Sequence, residues 1–321
     1  FSLTLLGNLA YRTLAEELDS EFIDKFIWLD RKRFARDLKY RYKKLKEITT
    51  NGYEIVLSPV YSREVFVDRI VKLVNAKEKI GSVGDLSNIR KWEKNISDKY
   101  YSKLIPAKNE IMFEFYRNKE FFENILGVKI DIEKPHIELR QRKVPFELLQ
   151  KYAIFFIGAG GEFRKWGIRN FAIIGKHIKD KYGYEIVLCG AQSDVNDALE
   201  FNKHFGGNYY DLVGRTNLID LLYIIDNAKL MISNETMAPH LAVALNVKYD
   251  IFVISNGNHF GRFVPYPKWI APNYHAIFHP YIENNLENYR LLSNSYGFGS
   301  RLDINEISIE KVRSKLDNVL M

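Results

Sequence analysis

One cysteine in 321 residues leaves no partner for an internal disulfide and no thiolate set for a zinc site, so Cys189 suits a reducing compartment. Its setting, "EIVLCG", reads as a buried strand thiol rather than a nucleophile. Long apolar runs are missing as well. None approaches the roughly 18 to 20 residues of a membrane-spanning helix, and no secretory signal heads the sequence. There is no zinc-finger spacing and no RNA-recognition aromatic signature, so nucleic acid is not an expected partner. Nor is there a P-loop, a GxGxxG, a DxD pair after a strand, or a His and carboxylate cluster with ligand spacing. No cofactor and no metal site is therefore expected.

What is present is ordinary in bulk and uneven in detail. Hydrophobic residues make up 46% and charged residues 27%, which places the chain among globular proteins, long enough for two domains. The net charge is +7, with a pI near 9.1. Between Asp30 and Lys46, "DRKRFARDLKYRYKKLK" sets nine Lys or Arg against two Asp. Phe34, Leu38, Tyr42 and Leu45 recur there at three to four residue intervals, which predicts one amphipathic helix with a basic outer face. That face is either simply solvated or an attractor for an anionic partner, such as a membrane surface or a phosphorylated glycan.

Short apolar runs alternate with helical patterns in both halves, as in parallel α/β units. In the first half the expected strands are "LTLLG", "KFIWLD", "EIVLSP" and "EKIGS". An irregular stretch from Asp85 to Ala107 follows, then a helix "EIMFEFYRNKEFFENILG" stopped by Gly127. In the second half strands are expected at "AIFFIG", "EIVLCG", "YDLVG", "LMISN" and "DIFVIS". The segment "ELRQRKVPFELLQKY" reads as the connection, giving domains at 1–145 and 146–304 and a C-terminal helix at 305–321. The expected fold class is α/β, with two Rossmann-like domains and a ligand crevice between them.

In such sheets ligands sit beyond the carboxyl ends of the strands, and three loops on that edge stand out. After "AIFFIG" comes "AGGEFRKW": Gly160 and Gly161 allow close backbone approach, and Arg164 and Lys165 add positive charge ahead of a helix, a combination that favours phosphate. After "LMISN" comes "ETMAPH", where Pro239 is expected to open a helix with His240 in its first turn. After "DIFVIS" comes "NGNHFGRFVPYP", a rigid, polar and aromatic wall carrying Asn256, Gly257, His259 and Arg262.

The run "SNETMAPHLAVALNV" resembles the ND(T/S)GxxH signature of the family 9 glycosyltransferases, heptosyltransferase-like enzymes of bacterial surface glycan synthesis. The upstream "GAGGEFRKW" is similar to that family's phosphate-side loop, which carries a Lys near a Trp. The resemblance spans essentially the whole chain. It implies a GT-B fold that binds a nucleotide-sugar donor in the C-terminal domain and an anionic glycan or glycolipid acceptor, such as lipopolysaccharide core, in the N-terminal one. It further implies inverting transfer of a heptose or hexose from a nucleotide diphosphate without a metal ion. Glu235 falls where the family has Asp, Thr236 on its hydroxyl position, Met237 where Gly is usual, and His240 on its histidine. Glycine at the Met237 position allows close approach to the diphosphate, so this loop or its donor departs from the pattern.

Arg164 and Lys165 compete for the phosphate-binding role, and Gln192 or Asp194 is placed to reach the ribose, with helix capping the competing role for Asp194. The family's general base lies in the loop after the first strand. Residue 1 is Phe and "SLTLLGN" corresponds to the second strand, so the base and a first strand are expected upstream of residue 1. Asp19, Asp24 and Asp30 read as structural helix-edge residues. On the acceptor side, Tyr61, Ser62 and Arg63 leave a strand edge, with Asn88, Arg90 and Lys91 as further candidates; pairing of Arg63 with Asp68 or Glu64 is the competing reading. A GT-B nucleotide-sugar epimerase and a catalytically degenerate nucleotide-sugar-binding protein are the alternative functions. The expected location is cytoplasmic, with peripheral contact at the anionic inner membrane face.

Overall fold

A computed structural model describes residues 1–139 and 151–321, and divides them into unit 1, Phe1–Ile132, and unit 2, Glu133–Met321. The expected boundary at 145, and most of the connection read at 138–152, lie outside the described residues.

Unit 1 runs β1 (Thr4–Asn8), α1 (Arg12–Leu18), β2 (Lys25–Leu29), α2 (Arg31–Arg36), α3 (Leu38–Thr49), β3 (Tyr53–Ser58), α4 (Val65–Leu73), β4 (Ala76–Ser82), α5 (Lys91–Ser97), β5 (Lys103–Ile105) and α6 (Glu114–Leu126). Its strands form two parallel sheets, β1-β2 and β3-β4-β5. Ile27, Leu29, Phe34, Ile48, Ile70 and Val74 make one core that joins β2 to its helices.

The single basic helix expected at 30–46 is broken in two. Asp37 takes an extended conformation (φ −104°, ψ 105°), and its carboxylate accepts the backbone N–H of Tyr40 at 3.0 Å. An Asp in that role is an N-cap, which ends α2 and starts α3 on a new rotation. The expected apolar stripe is split accordingly. Phe34 is buried and Leu45 packs on the core, but Tyr40 and Ile48 take the inward positions while Leu38 and Tyr42 point to solvent.

Unit 2 runs β6 (Tyr152–Phe156), α7 (Ile168–Tyr182), β7 (Glu185–Cys189), α8 (Val195–Phe205), β8 (Tyr210–Asp211), α9 (Leu218–Asn227), β9 (Leu230–Asn234), α10 (Met237–Ala244), β10 (Ile251–Ser255), β11 (Tyr274–Phe278), α11 (Pro280–Glu283), α12 (Tyr289–Tyr296) and α13 (Ile309–Leu320). Its six strands form one parallel sheet in the order β11-β10-β9-β6-β7-β8, the doubly wound arrangement that reverses between β6 and β9. All residues of β6, β9 and β10 are buried, as a sheet covered on both faces requires. Val312 and Leu316 of α13 complete the same core.

The sequence reading passed over β5, β11, α11 and α12, and it opened α6 four residues early. It also placed the start of the "ETMAPH" helix too late. Thr236 is the extended N-cap (φ −147°, ψ −171°) and Met237 the first helical residue, so Pro239 sits third. Proline is tolerated throughout that turn because its missing N–H has no intrahelical partner there.

Candidate active site

Three loops leave the carboxyl ends of β6, β9 and β10 side by side, because Phe156 is in register with Ser233, and Ile254 with Asn234. Asn234, fully buried at the end of β9, ties two of them. Its Oδ1 accepts the Trp166 N–H at 3.0 Å, and its Nδ2 donates to the Ile157 carbonyl at 2.6 Å. The Trp166 indole in turn donates to the Ile307 carbonyl at 2.8 Å. The glycine-rich loop is thereby held at both ends.

Within it the two candidate cations part company. Lys165 is ion-paired to Asp197 at 2.8 Å, Glu162 at 2.9 Å and Asp194 at 3.3 Å. Burial opposes its charge, but the hydrogen bonds it donates to Asp197 and Glu162 outweigh that and raise its pKa. Lys165 is a neutralised strut. Arg164 is different: its only ion pair among the described residues is a 3.9 Å approach of Nη1 to Glu235, and its buried Nε has no hydrogen-bond partner. Its guanidinium folds over Gly160, where any Cβ would collide with it. Gly160 itself is exposed and Gly161 is half-buried beside the Phe163 ring.

Glu235 is only 4% exposed and firmly placed. Its Oε2 accepts the Ser255 hydroxyl at 2.8 Å, and its Oε1 lies 3.2 Å from His259 Nδ1. His259 holds a left-handed backbone (φ 59°), unusual for a residue with a Cβ, and its Nδ1 also meets the Asn258 amide at 2.8 Å. Thr236 and Met237 follow half-buried, and the Thr236 hydroxyl makes no capping hydrogen bond. His240 Nδ1 shares a 2.9 Å hydrogen bond with the Tyr266 hydroxyl. Burial lowers its pKa to about 4, more than the Glu235 charge raises it, so the ring is neutral near pH 7. It offers hydrogen bonding rather than charge.

The remaining expected residues have structural employment. Asn256 donates to the carbonyls of Phe163 at 3.0 Å and Leu302 at 2.9 Å, which fastens the third loop to the first. Gly257 is left-handed (φ 83°) against Ile282. Arg262 is buried, with its guanidinium over the Phe298 ring at 4.6 Å. Asp194 accepts the Ala191 N–H at 2.9 Å and fills the space beside Gly158, so it caps and braces. Gln192 is exposed over Gly214.

In unit 1, Arg63 is 1% exposed and bound by Asp68 at 2.8 Å, Asp98 at 2.5 Å and the Ser97 hydroxyl at 2.8 Å. Burial works against its charge, yet Asp68 and Asp98 raise its pKa. It is a core cation, paired with Asp68 rather than with Glu64, which meets Arg31 instead. Tyr61 lies under the Arg117 guanidinium at 4.1 Å, and Ser62 donates to Asp85 at 3.2 Å. The Asn88 amide donates to the Ser62 carbonyl at 3.3 Å, while Arg90 and Lys91 are exposed at the start of α5.

Sequence reasoning left Ser255, Tyr266 and Asn234 unassigned and mentioned His259 without a role. A small hydroxyl at the end of an apolar strand was the one signal available for Ser255.

The doubly wound six-stranded sheet is that of a GT-B fold, and solved structures share it. The family 9 glycosyltransferase from Veillonella parvula superposes with a TM-score of 0.72 at 16% identity, covering 99% of this chain and 88% of its own. Heptosyltransferase WaaC of E. coli with ADP gives 0.64 at 13%, covering 99% and 88%. The E. coli ADP-heptose lps heptosyltransferase II gives 0.63 at 14%, covering 99% and 89%. No curated protein sequence matches. Residues 41–252 match the pattern of glycosyltransferase family 9 (heptosyltransferase), and the chain belongs to that family of glycosyltransferases.

Proposed function

We propose that the chain transfers a heptose or hexose from a nucleoside-diphosphate donor to a hydroxyl of an anionic bacterial surface glycan or glycolipid, such as lipopolysaccharide core. The observation that carries this is Arg164: a cation held beside Gly160, with an unpartnered Nε, at the carboxyl edge of a doubly wound sheet. A guanidinium in that state is ready to bind a diphosphate in bidentate fashion.

In the reaction, the acceptor hydroxyl attacks the anomeric carbon from the face opposite the diphosphate. The bond from that carbon to the phosphate oxygen breaks, the configuration inverts, and a carboxylate base takes the hydroxyl proton. Arg164 and the N-terminal N–H groups of α10 stabilise the charge that develops on the leaving diphosphate. Glu235, engaged by Ser255 and His259, holds Arg164 in place rather than taking that proton. In this proposal the leaving diphosphate is met by Arg164 and the α10 N-terminus, and no metal ion takes part. On the acceptor side, Tyr61 and Ser62 line the loop after β3 and Arg63 braces it from beneath. We place the work on the cytoplasmic side of the inner membrane, where a lipid-linked anionic acceptor would lie. Among the described residues no helix is long and apolar enough to cross a membrane.

The test is calorimetric titration with ADP-, GDP- and UDP-sugars, followed by assay of nucleotide release with lipopolysaccharide-core acceptors. One donor should bind and turn over only when acceptor is present. If none of the three classes binds, the reading fails.

A further inference from the structure

Helices α2 and α3 carry a surface that the donor site does not use. Leu38 is 72% exposed and Tyr42 71% exposed, one helical turn apart on α3. Lys46 continues their row, and Lys39 and Lys43, both exposed, form the row beside it. Lys32 and Arg36 of α2 are exposed as well. Neighbouring charges are spent: Arg31 on Glu64, Arg33 on Asp37 and Lys44 on Glu47. Lys32, Arg36, Lys39, Lys43 and Lys46 have no ion pair among the described residues.

We propose that this face, with exposed Leu38 and Tyr42 on α3 and five unpaired cations on α2 and α3, docks the chain onto an anionic lipid bilayer. The cations complement phosphate headgroups, and the two apolar side chains reach the acyl boundary, which is the chemistry of an interfacial helix. An aliphatic side chain so exposed separates this surface from a polyanion site, where Leu38 would gain nothing. A second copy of the same face would be repelled by like charge. The break at Asp37 creates the surface, because on a continuous helix Leu38 and Tyr42 would share the buried stripe of Phe34. This inference does not depend on the donor reading.

The full chain should sediment with vesicles of about 3:1 phosphatidylcholine to phosphatidylglycerol and not with phosphatidylcholine alone, weakening as salt rises. Leu38→Ser with Tyr42→Ser should cut binding about ten-fold. Lys39→Glu with Lys43→Glu should abolish it, since each lost cation costs about five-fold. All four positions are exposed, and circular dichroism checks that the variants fold. Wild-type chain that ignores anionic vesicles overturns the proposal. So does a Leu38→Ser, Tyr42→Ser variant that binds as tightly as wild type, which would leave charge attraction alone and no interfacial docking by these side chains.

Discussion

The two units share one α/β plan and carry it out with different means. Unit 2 places its first strand, β6, in the middle of a continuous six-stranded sheet. Among the described residues, unit 1 has two shorter parallel sheets, β1-β2 and β3-β4-β5. The arginines in the loops after β3 and β6 differ too. In unit 1, Arg63 is a core element saturated by carboxylates. In unit 2, Arg164 keeps a buried Nε without a hydrogen-bond partner. Under the proposed function, Arg63 serves stability and Arg164 serves chemistry.

Removing each arginine tests that division, and the larger effect is expected in unit 1. Arg63→Ala strands the buried carboxylate of Asp68 and frees Asp98, so unit 1 should lose about 3–5 kcal/mol. Chemical denaturation should then show an early transition while nucleoside-diphosphate binding persists beyond it. If binding is lost in step with that transition, the two units do not divide the work. Arg164→Ala should do the opposite, weakening diphosphate binding about 100-fold with an unchanged melting temperature. Lys165→Ala is the control: with Asp197, Glu162 and Asp194 left unpaired, it should lower melting temperature more than affinity.

The same contrast explains what was legible in the sequence. Unit 2 strands were readable because complete burial demands unbroken apolar runs, and "AIFFIG", "LMISN" and "DIFVIS" all became strands. β11 was missed because "YHAIF" is interrupted by His275, which is held by Asp250 at 2.7 Å. The basic helix was misread because periodicity alone did not expose Asp37 as a cap. At the candidate site, residue types drew attention to three loops that the sheet brings to one edge, but the difference between Arg164 and Lys165 lies in partners from elsewhere in the chain. Asp194 and Asp197 lie 29 and 32 residues beyond Lys165, a juxtaposition no local pattern encodes.

A smaller effect should come from the tie between loops. Asn234→Ala leaves the Trp166 N–H and the Ile157 carbonyl buried without partners, for a loss of about 2 kcal/mol confined to unit 2. Hydrogen exchange should report faster opening of residues 157–166 while unit 1 amides are unaffected. Equal acceleration in both units would erase the distinction between them.

The smallest effect, and the finest probe of the same boundary, is pH. The His240 pKa falls from an ordinary 6.5 to about 4 in the folded chain, through burial first, then the opposed influences of Glu235 and His259. As pH drops, the unfolded chain takes up the proton before the folded one. The stability contribution is therefore full above pH 6.5 and is lost progressively toward pH 4. Between pH 6 and 5 the loss should be about 1 kcal/mol. Burial lowers the His275 pKa as well, so unit 2 as a whole should soften in acid. His240→Gln should remove only the first share, flattening the unit 2 transition over that interval and leaving the unit 1 transition where it was. A slope that the substitution does not reduce would mean that His240 takes up its proton as readily in the folded chain as in the unfolded one, and that the candidate site holds a cation in acid where this structure places a neutral ring.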